Sequence, residues 1–249
     1  MGRLFWFYVV CILSIPMFTY EIINTFVDEN YRNFQFFTVI TNFLTWLYFI
    51  MKGIYVLYKY CKQDKKKNNL GDDQSAILLC PTDKMGIFLD GYSIFTTINM
   101  LLVCAVFWAM LAATTTWGWT WKSVFSVFDH LVVPVTKLID FIFFSPLNTS
   151  NKVIYTSCIL YPLLYYIEAT LYGIFSSSHW YPYWFMNPSR ISYLEIVLYF
   201  LGLLVVFLLV IFAFTKIISV IKKKRAILPF LRYLLVFKSH STRNTRFEE

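Results

Sequence analysis

The sequence predicts an all-α polytopic membrane protein, a bundle of six transmembrane helices with both termini cytoplasmic. Of its 249 residues, 58% are hydrophobic and only 14% are charged. Ordinary soluble domains carry roughly 25% charged residues, so this chain has too few to build a solvated polar surface. The composition therefore excludes a soluble enzyme, a disordered chain and a disulfide-rich scaffold.

Six stretches are long and apolar enough to cross a membrane, which takes about 20 residues in a helix. The first follows Arg3 and lacks a small-residue cleavage site, so we expect a retained helix rather than a signal peptide. Residues 1–220 are predicted to form one transmembrane domain. Its six spans are predicted at 4–20, 34–57, 87–113, 122–145, 153–175 and 193–220.

The distribution of Lys and Arg predicts the orientation, because cytoplasmic loops are enriched in these residues. Sixteen of the 22 basic residues fall on the side that holds both termini and the 58–86 loop. Only Arg32, Lys122 and Arg190 fall on the other side. The six-span arrangement is thus predicted to have cytoplasmic termini, and we expect a multi-pass protein of the plasma membrane.

The net charge of +8 is concentrated beside apolar runs. This placement favours anionic lipid headgroups at the cytoplasmic face as partners, rather than nucleic acid. The basic tail at 221–249 contains a mostly apolar segment at 226–237, which is too short to span and is predicted to lie in the membrane interface.

No metal site or cofactor is predicted. The three histidines, His130, His179 and His240, are scattered along the chain, and the five cysteines form no CxxC pair. Zinc sites require clustered His and Cys ligands.

Polar and ionisable residues lie inside five of the predicted spans, where such residues are costly and usually functional. On the second span, Thr38, Asn42 and Thr45 share one helical face by their spacing. On the fourth span, Lys137 and Asp140 are three residues apart and are expected to pair. The remaining members of the set are Thr41, Asp90, Asn99, Asp129, His130, Thr136, Glu168 and Glu195.

Aromatic residues dominate the predicted outer loops at 114–121 and 176–192. Two interpretations of these loops remain open. They form either an aromatic belt at the membrane interface or a lid over an opening among the helices.

The predicted depths of the polar residues place several of them together. At a rise of 1.5 Å per residue, Thr38 lies ~6 Å and His130 ~12 Å below the outer surface, with Thr41 and Asn42 between. Pro134 lacks an N–H, which frees the His130 carbonyl and bends that helix. A hydroxyl, an imidazole and an amide at one depth are suited to act as nucleophile, base and oxyanion donor.

Short motifs carry a resemblance to a known family. They are Phe36-Phe37-Thr38 followed by Asn42, then Ala105-Val106-Phe107-Trp108, then Asp129-His130 with Pro134. This pattern resembles the androgen-inducible membrane protein family, whose animal members hydrolyse fatty acid esters of hydroxy fatty acids with an intramembrane Thr and a His. The chain is still more similar to uncharacterised bacterial six-span relatives, over roughly residues 30–215.

The resemblance implies that Thr38 is the nucleophile and His130 the base. The family's spacings differ by one residue from those here, so Thr41 is a rival nucleophile. Asn42 is the expected oxyanion donor. Glu168 is expected to face the bundle interior and orient His130. Asp129 is a weaker orienting candidate, because adjacent side chains point ~100° apart on a helix.

Three functions remain open at this stage. The first is a Thr-dependent lipid ester hydrolase or acyltransferase whose amphipathic substrate enters from the outer leaflet. The second is a small-molecule transporter that uses the same polar interior. The third is a non-catalytic membrane protein whose polar groups only hold the helices together.

Overall fold

The computed structural model describes Thr19, Ile23 and residues 36–67, 83–112, 117–118, 121–144, 152–176 and 178–227. Regular structure within these ranges is entirely helical. Four helices here are long and apolar enough to cross a membrane: Phe37–Lys59, Lys84–Leu111, Tyr155–Phe175 and Tyr193–Val220. These four helices are what a multi-pass membrane protein requires.

The helices are labelled in chain order. Helix α1 is Phe37–Lys67, and helix α2 is Lys84–Val106, which continues into a π-helix at Phe107–Leu111 (π1). Helix α3, Trp121–Val127, continues through a second π-helix at Phe128–Val132 (π2) into α4, Val133–Phe144. Helix α5 is Lys152–Phe175, a short 3₁₀ turn is Trp184–Met186, and α6 is Tyr193–Ile227.

Two helices extend beyond the membrane spans predicted for them. Helix α1 continues to Lys67, whereas its apolar span was predicted at 34–57. Helix α2 begins at Lys84, three residues before the span predicted at 87–113. Both extensions have one cause: hydropathy measures the part of a helix that fits in lipid, whereas Lys, Gln and Tyr continue the backbone hydrogen bonds beyond it.

The predicted first and fourth spans stand apart from the other four. Of 4–20, only Thr19 is described, so that span lies outside the described residues. The stretch 121–144 is helical throughout, but it carries Asp129, Lys137 and Asp140 and is therefore less apolar than the others. Its place in the membrane remains a prediction, as do the six-span count and the orientation.

Helix α2 is the centre of the described bundle, because α1, α4 and α5 all pack against it. Its polar side chains bond back to its own backbone. Thr96 and Thr97 donate to the Tyr92 and Ser93 carbonyls at 2.9 and 2.6 Å, and Asn99 Nδ2 donates to Phe95 at 2.9 Å. Such local bonds let polar residues lie buried among apolar neighbours.

The chain divides into two compact units, Met1–Val210 and Ile211–Glu249. The first unit contains all the residues discussed below as a site. In the described part of the second, Thr215 Oγ1 donates to the Phe212 carbonyl at 2.8 Å, and Lys216 Nζ lies 5.3 Å from the Phe212 ring centroid. Of the basic tail at 221–249, only the helical residues up to Ile227 are described.

Candidate functional site

A polar stripe follows helix α1 along its inner face. Its members recur every three or four residues, which places them on one side of a helix. Thr41, Thr45 and Tyr48 are buried almost completely, with 1% of each residue exposed. The stripe consists of Thr38, Thr41, Asn42, Thr45, Tyr48 and Lys52.

The outer part of this stripe meets the π2 segment. Asn42 Nδ2 donates to Asp129 Oδ1 at 3.0 Å. Asn42 was expected at a depth similar to that of His130, and this contact brings α1 against residues 128–132, the segment that contains His130. Asp129 bonds to α1 rather than to its neighbour His130, as the angle between adjacent side chains led us to expect.

His130 is held in a defined orientation by two neighbours. Its Nδ1 lies 2.7 Å from the Ser126 carbonyl, and its ring stacks on Phe107 with centroids 3.7 Å apart. A carbonyl only accepts, so Nδ1 carries the proton, and in the neutral ring Nε2 keeps a free lone pair. His130 is therefore in the form that a general base requires.

The two π-helices meet at this histidine. Phe107 belongs to π1 and His130 to π2. Trp108 Nε1 donates to the His130 carbonyl at 3.1 Å. This is the carbonyl expected to lose its helical partner because of Pro134, and an indole from the neighbouring helix bonds to it. π-Helical segments are frequent at functional sites.

Thr38 faces a different set of groups. The Tyr183 hydroxyl interacts with the side chains of Thr38 and Tyr165. Burial raises the pKa of Tyr183 above its ordinary value, so this phenol remains a hydrogen-bond donor at neutral pH. Phe36 holds the aromatic segment on α1 through edge contacts with Trp180 and Tyr183, both at 5.7 Å.

An apolar cavity of about 100 Å³ lies beside Thr38. Helices α1, α2, α5 and α6 contribute to its wall, together with the segment after α5. Tyr183, Phe185 and Met186 of that segment line the cavity, which favours the lid interpretation of the 176–192 loop. Thr38 and the tyrosines supply hydroxyls in a wall that is otherwise nearly all apolar.

Neither candidate nucleophile bonds directly to His130 among the described contacts. The Thr41 hydroxyl lies 3.3 Å from the Tyr161 hydroxyl, and Thr38 interacts with Tyr183. Phe107 is the shared neighbour, since it stacks on the His130 ring and also lines the Thr38 cavity. Phe107 therefore links the His130 ring to the cavity whose wall contains Thr38.

The expectation for Glu168 is wrong. Glu168 is exposed on the outer face of α5 and does not face the bundle interior. His130 is oriented by Ser126 and Phe107 instead. The prediction assumed that a single carboxylate in an apolar helix points toward the bundle interior. The rotation of α5 about its axis instead places the Glu168 side chain on the exposed face.

A second polar cluster lies deeper in the bundle, around Asp140. Lys52 Nζ lies 2.5 Å from Asp140 Oδ1, and Lys137 Nζ lies 3.4 Å from Asp140 Oδ2, which confirms the predicted pair on one helix. Tyr48 donates to Asp140 at 3.0 Å, and Lys137 donates to Ser93 at 2.9 Å. Helices α1 and α2 are thus both joined to α4 through its Lys137–Asp140 pair.

The sequence alone did not identify Tyr183, nor Lys52 as a partner of Asp140. Lys52 continues the 3–4 spacing of the α1 stripe, and that periodicity was a usable signal. Tyr183 stood among several loop aromatics with nothing to distinguish it.

Within the described ranges, no group of three or more His, Cys, Asp or Glu side chains is arranged to hold a metal ion. Comparison with known proteins adds no relative: no protein-family model, no curated protein and no solved structure matches this chain.

Proposed function

We propose that the protein binds an amphipathic lipid ester, with an acyl chain in the cavity beside Thr38, and cleaves or transfers the acyl group. The observation that carries the proposal is the Thr38 hydroxyl in the wall of an otherwise apolar cavity. A ligand pocket of this kind combines apolar walls with a few placed polar groups. The resemblance to the androgen-inducible family supports the same residue, and the plasma membrane is the proposed location.

The proposed reaction uses three side chains. The Thr38 oxygen attacks the acyl carbon while its proton passes to His130 Nε2. The Tyr183 hydroxyl donates to the developing oxyanion, a role expected earlier of Asn42, whose Nδ2 is bonded to Asp129. The ester C–O bond then breaks, and the departing alkoxide takes the proton from His130.

The second half of the reaction releases the acyl group. Water attacks the acyl-threonine as His130 removes its proton, and the fatty acid leaves as Thr38 regains a proton. In acyl transfer, an acceptor hydroxyl replaces the water. Neither outcome calls for a cofactor, since every proton is exchanged among Thr38, His130 and the substrates.

Phe107 must shift for this chemistry to occur. Its ring covers one face of His130 and also lines the cavity. Ligand entry between Phe107 and Tyr183 is the step that would bring Nε2 toward the Thr38 hydroxyl, since catalytic hydrogen bonds often tighten only on substrate binding.

The test is labelling of the full-length protein in membranes by a fluorophosphonate probe with an alkyl chain. Thr38→Ala and His130→Ala are expected to abolish labelling, and Thr41→Ala to preserve it. Phe107→Ala is expected to increase the labelling rate, because the covered ring face becomes accessible. Loss of labelling in Thr41→Ala alone would transfer the nucleophile's role to Thr41.

Thr170→Ala is the matched control for these threonine variants. Thr170 lies on α5, and its hydroxyl donates to the Tyr166 carbonyl of the same helix, 2.8 Å away, which is its only hydrogen bond among the described residues. Labelling of the control should equal that of the wild type. Absence of labelling in the wild type, or equal labelling of wild type and Thr38→Ala, would contradict the hydrolase proposal.

A transporter is the second candidate, and the polar stripe of α1 favours it. The stripe runs from Thr38 to Lys52, and two of its buried atoms, Asn42 Oδ1 and Thr45 Oγ1, have no hydrogen-bond partner in the described structure. Asn99 Oδ1 on α2 is likewise unpaired. Buried groups of this kind are usually bridged by water, and a hydrated track is what a transporter needs.

Thiol labelling separates the two candidates. Thr45→Cys in a background without native cysteines should resist a charged methanethiosulfonate reagent if the interior is a closed lipid site. Rapid modification of Thr45→Cys from either side of the membrane would establish a water path and favour transport.

A further inference from the structure

Three oxygen atoms in the interior of the bundle are buried and have no hydrogen-bond partner among the described residues. They are Asn42 Oδ1 and Thr45 Oγ1 on α1 and Asn99 Oδ1 on α2. Thr45 is 1% exposed, and Asn99 is completely buried. A buried polar atom costs free energy unless it is satisfied, so these three atoms indicate a place where a further species binds.

The neighbours of the two asparagines determine which end of each amide is left over. Asn42 Nδ2 donates to Asp129 Oδ1 at 3.0 Å, and Asn99 Nδ2 donates to the Phe95 carbonyl at 2.9 Å. A carboxylate and a carbonyl only accept, so turning either amide around would lose its bond. Both remaining atoms are therefore carbonyl oxygens, and the species that satisfies them must be a hydrogen-bond donor or a cation.

Contacts between α1 and α2 give the register of the two helices. Tyr55 of α1 donates to Asp83, the residue before α2 begins. Tyr48, seven residues earlier on α1, contacts Tyr92, nine residues later than Asp83, with ring centroids 5.9 Å apart. The two helices are therefore antiparallel, and positions on α2 rise in number as the facing positions on α1 fall.

This register places the three oxygens at one depth. Asn99 lies seven residues, or two helical turns, after Tyr92, and so faces α1 as Tyr92 does. Its amide reaches back to Phe95, which lies level with Thr45 in this register. Thr45 and Asn42 are three residues, or about 4.5 Å, apart along α1. The three atoms therefore lie within about one helical turn of one another in depth.

The α1 side chains of this group face the junction of α1, α2 and π2, which all pack against one another. Asn42 bonds to π2 through Asp129. Tyr48, three residues beyond Thr45 on the same stripe, donates to Asp140 of α4 at 3.0 Å. Thr45 lies between these two contacts and faces the same side. Asp129 is 7% exposed and brings a buried carboxylate to the junction.

We infer that a sodium ion binds at this junction, coordinated by Asn42 Oδ1, Thr45 Oγ1 and Asn99 Oδ1 beside the Asp129 carboxylate. Hard cations bind oxygen ligands, and protein carbonyl oxygens replace the hydration shell of an ion inside a membrane protein. One carboxylate matches the charge of a monovalent ion, whereas a divalent ion would leave a buried positive charge unbalanced. Such a site needs no cluster of acidic ligands.

The Asp129 carboxylate favours a cation over a water molecule. Opposite charges attract strongly where the surroundings exclude water. The bond from Asn42 Nδ2 to this carboxylate also polarises the amide, which makes Asn42 Oδ1 a stronger acceptor. The bound ion would hold α1 and α2 against π2, the segment that contains His130.

The sodium site is independent of the proposed hydrolase. None of its three neutral ligands lines the cavity beside Thr38, and the proposed reaction uses none of them. It also differs from the transporter candidate, because a bound ion needs no continuous water path. Sodium binding therefore can succeed or fail whatever the result of the fluorophosphonate experiment.

The first test follows thermal unfolding of the full-length protein in detergent as NaCl replaces choline chloride at constant ionic strength. The melting temperature of the wild type should rise saturably, by roughly 5–10 °C when Na⁺ reaches one hundred times its Kd. Asp129→Asn should lose this rise. Thr45→Val should need at least about tenfold more Na⁺ for half of it, whereas Thr45→Ser keeps the hydroxyl and should titrate like the wild type.

Thr97→Val is the matched control for Thr45→Val. Thr97 is completely buried on α2, but its hydroxyl donates to the Ser93 carbonyl at 2.6 Å. This variant should respond to Na⁺ as the wild type does. A wild-type melting temperature that does not depend on Na⁺ would indicate that only water occupies the junction and would overturn the inference.

The second test measures binding of ²²Na⁺ to the same purified proteins by equilibrium dialysis. The wild type, Thr45→Ser and Thr97→Val should bind about one ion per chain, and Asp129→Asn should bind none. Thr45→Val should bind with at least about tenfold lower affinity. Absence of saturable binding to the wild type, or equal binding to the wild type, Asp129→Asn and Thr45→Val, would overturn the inference.

Discussion

Gly173 is the residue whose lack of a side chain matters most to the aromatic segment after α5. A Cβ atom at Gly173 would overlap the Tyr181 ring. Gly202 on α6 is the contrasting position, because a Cβ there would meet nothing within 4 Å. Substitution by alanine is therefore expected to cause a steric clash at Gly173 but not at Gly202.

We expect Gly173→Ala to destabilise the protein by roughly 1–3 kcal/mol, since Tyr181 and its segment must move. Gly202→Ala should be neutral or stabilising by up to about 1 kcal/mol, because alanine favours a helix. Thermal unfolding in detergent measures both. Equal melting temperatures for the two variants would contradict the packing role of Gly173.

Asp140 is the residue on which the buried ionic cluster depends. We expect Asp140→Asn to cost roughly 3–5 kcal/mol, because it leaves the buried Lys137 ammonium and the partly buried Lys52 ammonium without a counter-charge. Lys137→Met should cost less, since Asp140 keeps Lys52 and Tyr48 as partners. The order of the two melting temperatures is the measurement, and a larger loss in Lys137→Met would contradict this account.

At the scale of elements, two helices begin at capped ends. Ser192 and Glu195 form a capping box at the start of α6: the Ser192 N–H donates to Glu195 Oε2 at 2.7 Å, and the Glu195 N–H donates to Ser192 Oγ at 3.3 Å. We expect Ser192→Ala to cost about 1 kcal/mol. That loss should lower the melting temperature by about 2–4 °C in a chain of this size.

Asp83 caps α2 and ties it to the C-terminal half of α1. Asp83 Oδ1 accepts from the Gly86 amide at 2.8 Å and from the Tyr55 hydroxyl at 3.0 Å, while Lys59 Nζ lies 2.5 Å from Oδ2. The hydrogen bond from Lys59, followed by that from the Gly86 amide, lowers the pKa of the Asp83 carboxyl.

This lowered pKa predicts an acid-dependent contribution to stability. The contribution is complete above the ordinary Asp pKa of about 3.9 and is lost as the pH falls through the lowered value. The stability difference between wild type and Asp83→Asn should therefore be constant near neutral pH and shrink below about pH 4. A difference that stays constant down to pH 2 would contradict it.

At the scale of the whole molecule, the predicted orientation is testable by thiol accessibility. Lys65→Cys, in the basic end of α1, should react with an impermeant maleimide only after the cells are opened. Arg190→Cys, in the loop before α6, should react in intact cells. Reaction of any introduced cysteine in 62–75 from outside intact cells would refute the six-span orientation.

The sequence predicted an all-helical membrane protein because apolar length is a property of single segments. The Lys137–Asp140 pair was also predictable, since its spacing lies within one helix. Helix rotation is not local, and for that reason Glu168 was placed on the wrong side and Lys52 was missed. The π-helices could not be foreseen, because a one-residue change in hydrogen-bond register leaves no mark in composition.

The partners of the stretch 121–144 have a consequence for biosynthesis. Asp129 bonds to Asn42, Asp140 to Lys52, and Lys137 to Ser93. Each partner precedes this stretch in the chain. Asn42, Lys52 and Ser93 are therefore synthesised before the charged residues of 121–144 that they contact.

The insertion of this stretch alone into the bilayer is unfavourable, since each Asp or Lys near a helix centre raises the free energy of insertion by about 2.5–3.5 kcal/mol. We therefore expect this stretch to enter the bilayer from the translocon only together with α1 and α2, which are synthesised before it. A permuted chain in which 121–144 is synthesised before 36–112 should leave this segment untranslocated or exposed to proteolysis, although its composition is unchanged.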